Sequence, residues 1–458
     1  MTISKSLAVV ILAAGQGTRM RSSKPKVLHE LAGRPLLQHV IDVALELNPE
    51  EIVVVIGHGA EQVRDTISNK KLRWVVQEEQ LGTGHAVRIA LPEIEADNVL
   101  VLYGDVPLIT SKTLQPVIKG IKRSSIHLLT VDLEDPTGYG RIVRDNNGEV
   151  QKIVEHKDAS EEILQLTEGN TGILCAARLD LMDLLTKIRS DNSQGEYYLT
   201  DCIELCIAEQ GRVNGIKAEY VWQVSGINDK PQLNKLERRF QLNKAQKIME
   251  NGVTLADKNR FDVRGELKVG EDVYIDINCI FSGNVQLGDN VSIGPNCCIS
   301  NASIGNGVEV FANTVIEDAM IEADCSLGPF ARIRPQTIMR TGSKAGNFVE
   351  IKKSEIGEGS KVNHLSYIGD AKLGKTVNVG AGTITCNYDG ANKHITEVGD
   401  NVFIGSNSAI VAPVVLEEGA TIGAGSTITK RAPKEKLTLE RSRQITLENW
   451  RRATKGEK

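Results

Sequence analysis

Two glycines and a group of cations closely follow a short apolar run near the start of the chain. Residues 8–12 are apolar, Gly15 and Gly17 come next, and four cations lie between residues 19 and 26. Glycines let the chain turn sharply and let another group approach the backbone, and free N–H groups beside cations bind phosphate well. Neither the GxxxxGK[ST] motif nor the third glycine of the dinucleotide fingerprint is present. The stretch indicates either another kind of phosphate-binding loop or a solvated basic turn.

The elements around this stretch alternate in type up to residue 250. Three segments have the composition of buried strands, namely SLAVVILAAG, EIVVVIGHG and NVLVLYGD. Two segments have apolar positions at helical spacing, namely LLQHVIDVALEL and AEQVRDTI. This alternation is typical of βαβ units, so residues 1–229 are predicted to form a Rossmann-like α/β domain with a mostly parallel sheet. Residues 230–250 are charged, with apolar positions at helical spacing, and predict a connecting helix.

After residue 250, aliphatic residues recur at every sixth position. The series runs from Val263 to Ile428, with several single-residue omissions and a longer interruption at 386–397. A period of six is typical of hexapeptide repeats, in which neighbouring coils complete one another's core. Residues 251–458 are therefore predicted to form a left-handed parallel β-helix, whose C-terminal tail from residue 431 caps an end coil or folds over a neighbour.

Composition narrows the function classes. The 458 residues include 54 Lys and Arg against 59 Asp and Glu, and aromatic residues make up 4%, which argues against a general nucleic-acid binder. The 8 cysteines form no CxxC pair and no zinc-type array. The sequence shows no signal peptide and no apolar run of membrane-spanning length. These features predict a cytoplasmic protein without a membrane span and with reduced thiols.

Seven motifs that precede the predicted connecting helix resemble those of sugar-1-phosphate nucleotidylyltransferases, which transfer a nucleotidyl group from an NTP to a sugar phosphate. The motifs are LAAGQGTRMRSSKPK, QEEQLGTGHAV, VLVLYGDVPL, GYGRI, IVEHKD, EGNTGI and VSGINDK. The resemblance implies that Arg19 and Lys26 contact phosphates and serve catalysis, and that the base is uracil. The implied UTP- and sugar-binding residues are Gly15, Gln77, Gly82, Thr83, Gly140, Glu155, Asn170 and Asn228.

The reaction of that family explains why a metal ion is expected. Two polyanions must meet, so charge neutralisation and positioning supply most of the catalysis. A divalent cation serves that need, and Mg²⁺ takes few protein oxygens while keeping several waters. By the resemblance, Asp105, at the end of a buried strand, and Asn228 are the Mg²⁺ ligands.

Residues 328–390 resemble the acetyltransferase domain of the bacterial bifunctional enzymes that make UDP-N-acetylglucosamine. The motifs are GPFARIRPQT, GNFVEIKKSEIG, KVNHLSYIGDA and NVGAGTITCNYDG, and with them the resemblance covers nearly the whole chain. The implied acetyltransferase substrate-binding residues are Arg334, Lys352, Tyr367, Asn378, Asn387 and Tyr388. The implied acetyl-CoA-binding residues are Ala381, Ser406, Ala424 and Arg441.

His364 is the predicted general base of the acetyl transfer. A glucosamine nitrogen that attacks a thioester must lose a proton, and imidazole is well suited to accept it near neutral pH. Glu350 is a candidate to hydrogen-bond the other ring nitrogen and hold the tautomer. A lone histidine is more often a surface or structural residue, but this one lies among the sugar-binding positions and close to the interruption of the repeats.

The resemblance implies two consecutive reactions. Acetyl-CoA acetylates glucosamine-1-phosphate, and UTP then supplies the uridylyl group with release of pyrophosphate; the product is a precursor of peptidoglycan and lipopolysaccharide. A homotrimer is implied, with acetyltransferase sites built from neighbouring subunits. Three alternatives are a nucleotidylyltransferase whose β-helix serves only assembly, a binding or scaffold protein, and a metal-dependent hexapeptide enzyme of the carbonic anhydrase type. The last would need several histidines, but the repeats contain only His364 and His394.

Overall fold

The structure of the protein is a computed structural model that describes residues 6–452 and residue 455. The chain forms two compact units, Met1–Phe240 and Gln241–Lys458. The boundary lies inside the helix Lys230–Glu250, which occupies the range of the predicted connecting helix. The division of the chain at residues 229 and 250 remains a prediction.

The first unit is built around a twisted sheet that is parallel except near one side. Its strands are β1 Leu7–Ala13, β2 Glu30–Leu31, β3 Arg34–Pro35, β4 Glu51–Ile56, β5 Leu72–Val76, β6 Asn98–Tyr103, β7 Ser125–Asp132, β8 Arg141–Arg144, β9 Val150–Val154, β10 Glu168–Ala177 and β11 Arg212–Lys217. The main sheet has the order β11-β7-β10-β6-β1-β4-β5, and β8 and β9 extend from β10. Strand β10 is antiparallel to β6 and β7. β2 and β3 form a separate short hairpin.

Helices cover both faces of this sheet, as the apolar composition of the strands predicts. The helices are α1 Leu36–Glu46, α2 Ala60–Thr66, α3 Thr83–Ala90, α4 Ser111–Ile118, α5 Glu161–Leu164, α6 Arg178–Lys187, α7 Asp201–Ala208 and α8 Lys230–Glu250. Of these, α1, α2 and α4 pack on one face of the sheet and α3, α6 and α7 on the other. Alternate residues of β1 enter two cores: Val9 and Ile11 pack with residues of α1 and α4, and Val10 packs with residues of α3 and α7. The predicted Rossmann-like α/β fold is confirmed.

The second unit is a solenoid of short parallel strands stacked in ladders. One ladder contains Thr254–Leu255, Tyr274–Ile275, Ser292–Ile293, Glu309–Val310, Ser326–Leu327, Lys344–Asn347, Lys361–His364, Asn378–Val379, Phe403–Ile404, Thr421–Ile422 and Leu437–Thr438. The other strands form two further ladders that share the long strands Phe261–Val269 and Cys279–Leu287. They are Cys298–Ser300, Ser303–Ile304, Val315–Glu317, Met320–Ile321, Arg332–Ile333, Ile338–Met339, Glu350–Lys352, Glu355–Ile356, Tyr367–Gly369, Ala371–Leu373, Ile384–Cys386, Thr396–Val398, Ala409–Val411, Val414–Leu416 and Thr427–Ile428.

The predicted parallel β-helix of hexapeptide repeats is confirmed, and its register explains the spacing of the aliphatic residues. Ile275 lies beside Ile293 on the next coil. Ile299 lies beside Ile316 in the same way, although a single-residue omission makes that coil shorter. Each such side chain fills the interior of the solenoid, and full burial contributes roughly 1.5–3 kcal/mol. The spacing of the aliphatic residues therefore marks the inward positions of the three ladders.

The single-residue omissions are sharp corners of the solenoid. The residues at the shortened corners have φ between 44° and 48°, and they are Asn301, Asp318, Lys353 and Asp370. This left-handed conformation is tolerated best by Gly, Asn and Asp. The longer interruption is an insertion. Leu373 pairs with Val398 on the next coil, and the sequence separation between these two residues is longer than that of a regular coil. The extra residues form a loop outside the repeats.

Candidate active sites

The glycine-rich turn of the first unit folds back onto Lys26. Strand β1 ends at Ala13 and is followed by short 3-10 helices at Thr18–Met20 and Lys26–Leu28. Gly17 has φ 64°, and a Cβ atom there would lie 2.6 Å from Lys26 Cβ. A glycine is therefore required at this position both for its backbone conformation and for space. The turn brings Lys26 to the carboxyl end of the sheet.

Lys26 lies between the two predicted metal ligands. Its Nζ forms an ion pair with Asp105 Oδ2 and donates to Asn228 Oδ1 at 3.2 Å. Both side chains of the ion pair are largely buried, at 13% and 16% exposed. Because a carboxylate oxygen and an amide oxygen converge on one cationic group, they also fit the few protein oxygens that Mg²⁺ takes. The structure thus brings Asp105 and Asn228 together around Lys26, and their role as metal ligands remains a prediction.

Lys26 and Asp105 line a cleft together with the four residues that were expected to hold the nucleotide, Gly15, Gln77, Gly82 and Thr83. The backbone conformation at Gly82, with φ 104°, favours glycine, and a Cβ atom there would lie 2.6 Å from the carbonyl oxygen of Tyr197. The Thr83 hydroxyl accepts a hydrogen bond from the Leu199 N–H at 3.1 Å. These contacts fix the start of α3 against the loop that precedes α7.

The remaining predicted sugar-site residues form a neighbouring group. The Asn170 N–H donates to the Gly140 carbonyl at 2.8 Å, and a Cβ atom at Gly140 would lie 3.3 Å from the Glu155 carboxylate oxygens. Burial raises the pKa of Glu155. Burial and the nearby Glu155 carboxylate raise the pKa of Asp201 to about 6.

Arg19 is exposed and forms no hydrogen bond or ion pair within the part of the chain that the structure describes. Its position next to the turn leaves its guanidinium available to an incoming anion. Three residues with polar side chains that line the cleft were missed by the sequence analysis, namely Gln80, Tyr103 and Glu196. Tyr103 ends β6 two positions before Asp105, so its closeness in sequence could have indicated it.

In the second unit, His364 is oriented by a residue that the sequence analysis did not identify. Its Nδ1 lies 2.7 Å from Asn347 Oδ1, and the two residues are register partners on adjacent coils. An amide oxygen only accepts hydrogen bonds, so Nδ1 carries the proton and Nε2 is left as the acceptor. This is the tautomer that a general base acting through Nε2 requires.

The predicted orienting role of Glu350 is wrong within this chain. Its Oε1 accepts a hydrogen bond from Arg334 at 2.7 Å, and its register partner is Tyr367 rather than His364. Register partners on adjacent coils are separated by one full coil of sequence. Tyr367 stands at that separation from Glu350, whereas His364 is nearer to Glu350 in the sequence than one coil. The spacing of one full coil, which separates Asn347 from His364, is the signal that could have identified the correct partner.

The cationic residues predicted for the sugar phosphate gather on one ladder. Arg332–Ile333 pairs with Glu350–Lys352, which places Arg334 and Lys352 on adjacent coils, and Tyr367 follows on the next coil. Contact with Lys393 lowers the pKa of Lys352, and Arg334 adds to this effect. Like charges in close proximity suit the binding of a phosphate dianion. Lys393, in the inserted loop, was missed by the sequence analysis.

The other predicted residues of this unit lie close to that ladder or in the loop. Asn387 is buried and donates to Asp370 Oδ2 at 2.5 Å. Tyr388 is exposed, and its hydroxyl donates to the Gly390 carbonyl at 2.6 Å. Asn378 begins the strand that pairs with Lys361–His364. Asn387 thus anchors the inserted loop to the sharp corner at Asp370.

One corner of the solenoid joins His364 to the predicted acetyl-CoA positions. Three backbone hydrogen bonds link successive coils at this corner. Gly382 N–H donates to His364 O at 3.3 Å, Asn407 N–H donates to Ala381 O at 2.7 Å, and Gly425 N–H donates to Ser406 O at 2.8 Å. Ala424 belongs to the next coil of the same corner, where a Cβ atom at Gly425 would lie 3.9 Å from Arg441 Cδ. The structure therefore aligns Ala381, Ser406, Ala424 and Arg441 in a single row leading to His364.

Among the described residues, no larger cluster of candidate metal ligands accompanies Asp105 and Asn228. Within residues 6–452 and 455, no cluster of three or more His, Cys, Asp or Glu side chains is arranged to hold a metal ion. Asp105 and Asn228 supply only two protein oxygens, which is the small number that Mg²⁺ takes. Over the same described ranges, no helix combines the length and apolarity needed to cross a membrane.

Comparisons with known proteins match parts of both units. The MobA-like NTP transferase domain matches residues 9–176, the GMPPB C-terminal domain matches residues 263–345, and the bacterial transferase hexapeptide repeat matches residues 395–430. The bifunctional protein GlmU of Marinobacter nauticus is 53% identical over 451 residues, covering 98% of this chain and 99% of that protein.

A second relative and a solved structure are also similar to the chain. The bifunctional protein GlmU of Stutzerimonas stutzeri is 53% identical over 450 residues, covering 98% of this chain and 100% of its own. A solved nucleotidyl transferase from Methanothermobacter thermautotroptrophicus is 19% identical with a TM-score of 0.38, covering 52% of this chain and 98% of that one. The GlmU matches include both units.

Proposed function

The chain belongs to the family of the bifunctional protein GlmU, and on that basis we propose that it makes UDP-N-acetylglucosamine in two transfers. It is an enzyme with acetyltransferase and uridyltransferase activities. The second unit acetylates glucosamine-1-phosphate from acetyl-CoA. The first unit joins the resulting N-acetylglucosamine-1-phosphate to the uridylyl group of UTP and releases pyrophosphate.

In the uridylyl transfer, a phosphate oxygen of the sugar attacks the α-phosphorus of UTP while pyrophosphate leaves. Lys26 and Arg19 neutralise the phosphates, and the turn containing Gly15 wraps them with backbone N–H groups. Lys26 is held in position by Asp105 and Asn228. Mg²⁺, bound by those two residues, would neutralise further phosphate charge. Glu155 accepts hydrogen bonds from the sugar hydroxyls, and the Asn170 amide donates to them.

In the acetyl transfer, the amine of glucosamine-1-phosphate attacks the thioester carbonyl of acetyl-CoA, the carbon–sulfur bond breaks, and coenzyme A leaves as the thiolate, which takes up a proton to become the free thiol. His364 Nε2 accepts the proton that the nitrogen loses, and the Asn347 amide oxygen stabilises the imidazolium that forms by accepting from Nδ1. Arg334 and Lys352 bind the phosphate of the amino sugar, with Tyr367, Asn378, Asn387 and Tyr388 around it. Acetyl-CoA lies along the row formed by Ala381, Ser406, Ala424 and Arg441.

One observation favours two activities over a nucleotidylyltransferase whose solenoid only assembles it. Asn347 Oδ1 lies 2.7 Å from His364 Nδ1, on the coil corner that continues to Ala381 and Ser406. A scaffold needs no oriented imidazole there, because stability of a solenoid comes from the apolar interior. The histidine and its partner therefore support a second reaction.

The proposal includes a homotrimer and a cytoplasmic location, where UTP and acetyl-CoA are available. Exposed apolar side chains support assembly: the Phe330 and Phe348 rings stack at 5.1 Å with planes 8° apart, and Leu365 is 62% exposed on the next coil. Large apolar residues rarely occupy such corners, where φ is positive. A sedimentation mass of one chain would contradict the trimer.

The two activities are tested separately in the full-length protein. Arg19→Ala is expected to abolish pyrophosphate release from UTP and N-acetylglucosamine-1-phosphate while thiol release from acetyl-CoA and glucosamine-1-phosphate continues. His364→Ala is expected to show the reverse pattern. If wild-type protein releases no thiol, the solenoid is a scaffold. If either variant loses both activities while it stays folded, the two-site proposal is wrong.

A further inference from the structure

The side-chain amide of Gln77 is held in one orientation by two acceptors. Its Nε2 donates to the Gly82 carbonyl at 3.1 Å and lies 3.0 Å from His85 Nδ1. A primary amide has two N–H donors on this nitrogen, so both are used by the protein. Gln77 itself is 3% exposed and lines the cleft. The amide oxygen Oε1 is therefore the group that remains for a ligand.

The Gly82 carbonyl makes the opposite orientation unfavourable. If the amide were flipped, Oε1 would face this carbonyl, and two acceptors would meet without a proton between them. His85 completes the arrangement, provided that its Nδ1 is unprotonated. His85 lies in the first turn of α3, shortly after Gly82, so the loop and the helix start position both acceptors together.

The environment of His85 favours the neutral ring. Burial lowers its pKa, and the nearby Arg88 guanidinium lowers it further. Hydrogen bonding to the backbone of Glu79 and the Glu79 carboxylate act in the opposite direction and are the smaller influences. A neutral imidazole has one donor and one acceptor nitrogen, and Nδ1, which lies 3.0 Å from the Gln77 Nε2 donor, is the acceptor.

We propose that His85 is a positioning residue that selects the pyrimidine base by fixing the Gln77 amide. This inference rests on the proposed uridylyl transfer. Uracil carries an N–H donor at N3, which the Gln77 oxygen accepts. Cytosine has an unprotonated N3, which meets that oxygen as a second acceptor and is rejected. A Gln77 amide that is free to rotate can donate to cytosine instead, so discrimination depends on His85 and the Gly82 carbonyl.

The test compares UTP with CTP as nucleotidyl donors to N-acetylglucosamine-1-phosphate, using pyrophosphate release to obtain kcat/KM for each. The variants are His85→Leu, which removes the acceptor, and His85→Asn, whose amide oxygen can take the place of Nδ1. His85→Leu is expected to lower the UTP-to-CTP ratio of kcat/KM by about tenfold or more, the effect of one mispaired polar group. His85→Asn is expected to keep most of the ratio.

Two results would overturn the inference. One is a His85→Leu protein whose rates with UTP and CTP fall equally, because a merely structural role lowers both without changing their ratio. The other is a His85→Asn protein that loses selectivity as fully as His85→Leu does. If His85→Leu is inactive with both nucleotides, calorimetric binding of UTP and CTP decides in the same way. Failure of the proposed function is a different result, since wild-type protein would then release no pyrophosphate from UTP.

Discussion

Asn347 is predicted to control the rate of acetyl transfer through its hydrogen bond to His364. Asn347→Ala removes the oxygen that lies 2.7 Å from Nδ1. The ring then loses both the acceptor that keeps Nδ1 protonated and the partner that stabilises the imidazolium. Because Asn347 is half-buried on a regular coil, the substitution leaves the apolar interior of the solenoid unchanged.

The expected magnitude follows from the charge that forms on the ring. A hydrogen bond to a charged group contributes about 1.5–3 kcal/mol, and each step of about 1.4 kcal/mol corresponds to a tenfold change in rate. Asn347→Ala should therefore lower kcat for acetyl transfer by roughly ten- to hundredfold. The KM values for acetyl-CoA and glucosamine-1-phosphate should change little, because the lost interaction strengthens in the transition state.

The assay is thiol release at saturating substrates, with pyrophosphate release by the same protein as the control for folding. Asn347→Asp retains an oxygen acceptor and should keep most of the rate. Glu350→Gln tests the corrected residue: since Glu350 accepts from Arg334, the variant should change KM for the sugar phosphate more than kcat. Either of two results would refute this account of His364. One is an unchanged kcat in Asn347→Ala, and the other is a Glu350→Gln protein whose kcat falls as much as is expected for Asn347→Ala.

Two further predictions concern the first unit. Gly82→Ala should reduce uridylyl transfer at least about tenfold and destabilise the unit by roughly 2 kcal/mol or more, because its Cβ atom would lie 2.6 Å from the Tyr197 carbonyl at positive φ. The matched control is Gly120→Ala, which is also at positive φ but has no atom within 4 Å of the added Cβ. Equal losses in the two variants would contradict the role of crowding. Asp201, whose pKa is raised to about 6 by burial and Glu155, binds a proton more tightly in the folded state, so its contribution to stability is lost as pH rises from about 4 to 6. Asp201→Asn should therefore raise the free energy of unfolding by roughly 1–2 kcal/mol at pH 8 and by little at pH 4, as measured by denaturant titration, and a gain independent of pH would contradict this.

Local chemistry is sufficient to determine the repeat architecture of the second unit. A period of six places every inward side chain on a strand ladder, and omitted residues mark corners whose conformation suits Asn and Asp. The alternation of apolar and amphipathic segments determines the layered α/β fold of the first unit in the same way. Asp105 follows the end of β6, where the ends of parallel strands form a binding edge, whereas Asn228 comes from the loop before α8 and meets it only through Lys26.

The partners of individual side chains were decided by the tertiary structure. The sequence analysis assigned Glu350 to His364, but the length of the coil places Asn347 beside His364 and leaves Glu350 with Arg334. The orientation of Gln77 likewise depends on Gly82 and His85, which a loop and a helix start bring to it. The physical reason is range: a hydrophobic period arises from each segment's own burial, whereas a hydrogen bond requires two groups within about 3 Å. That distance depends on coil length, corner geometry and loop closure, which are set only when the chain has folded.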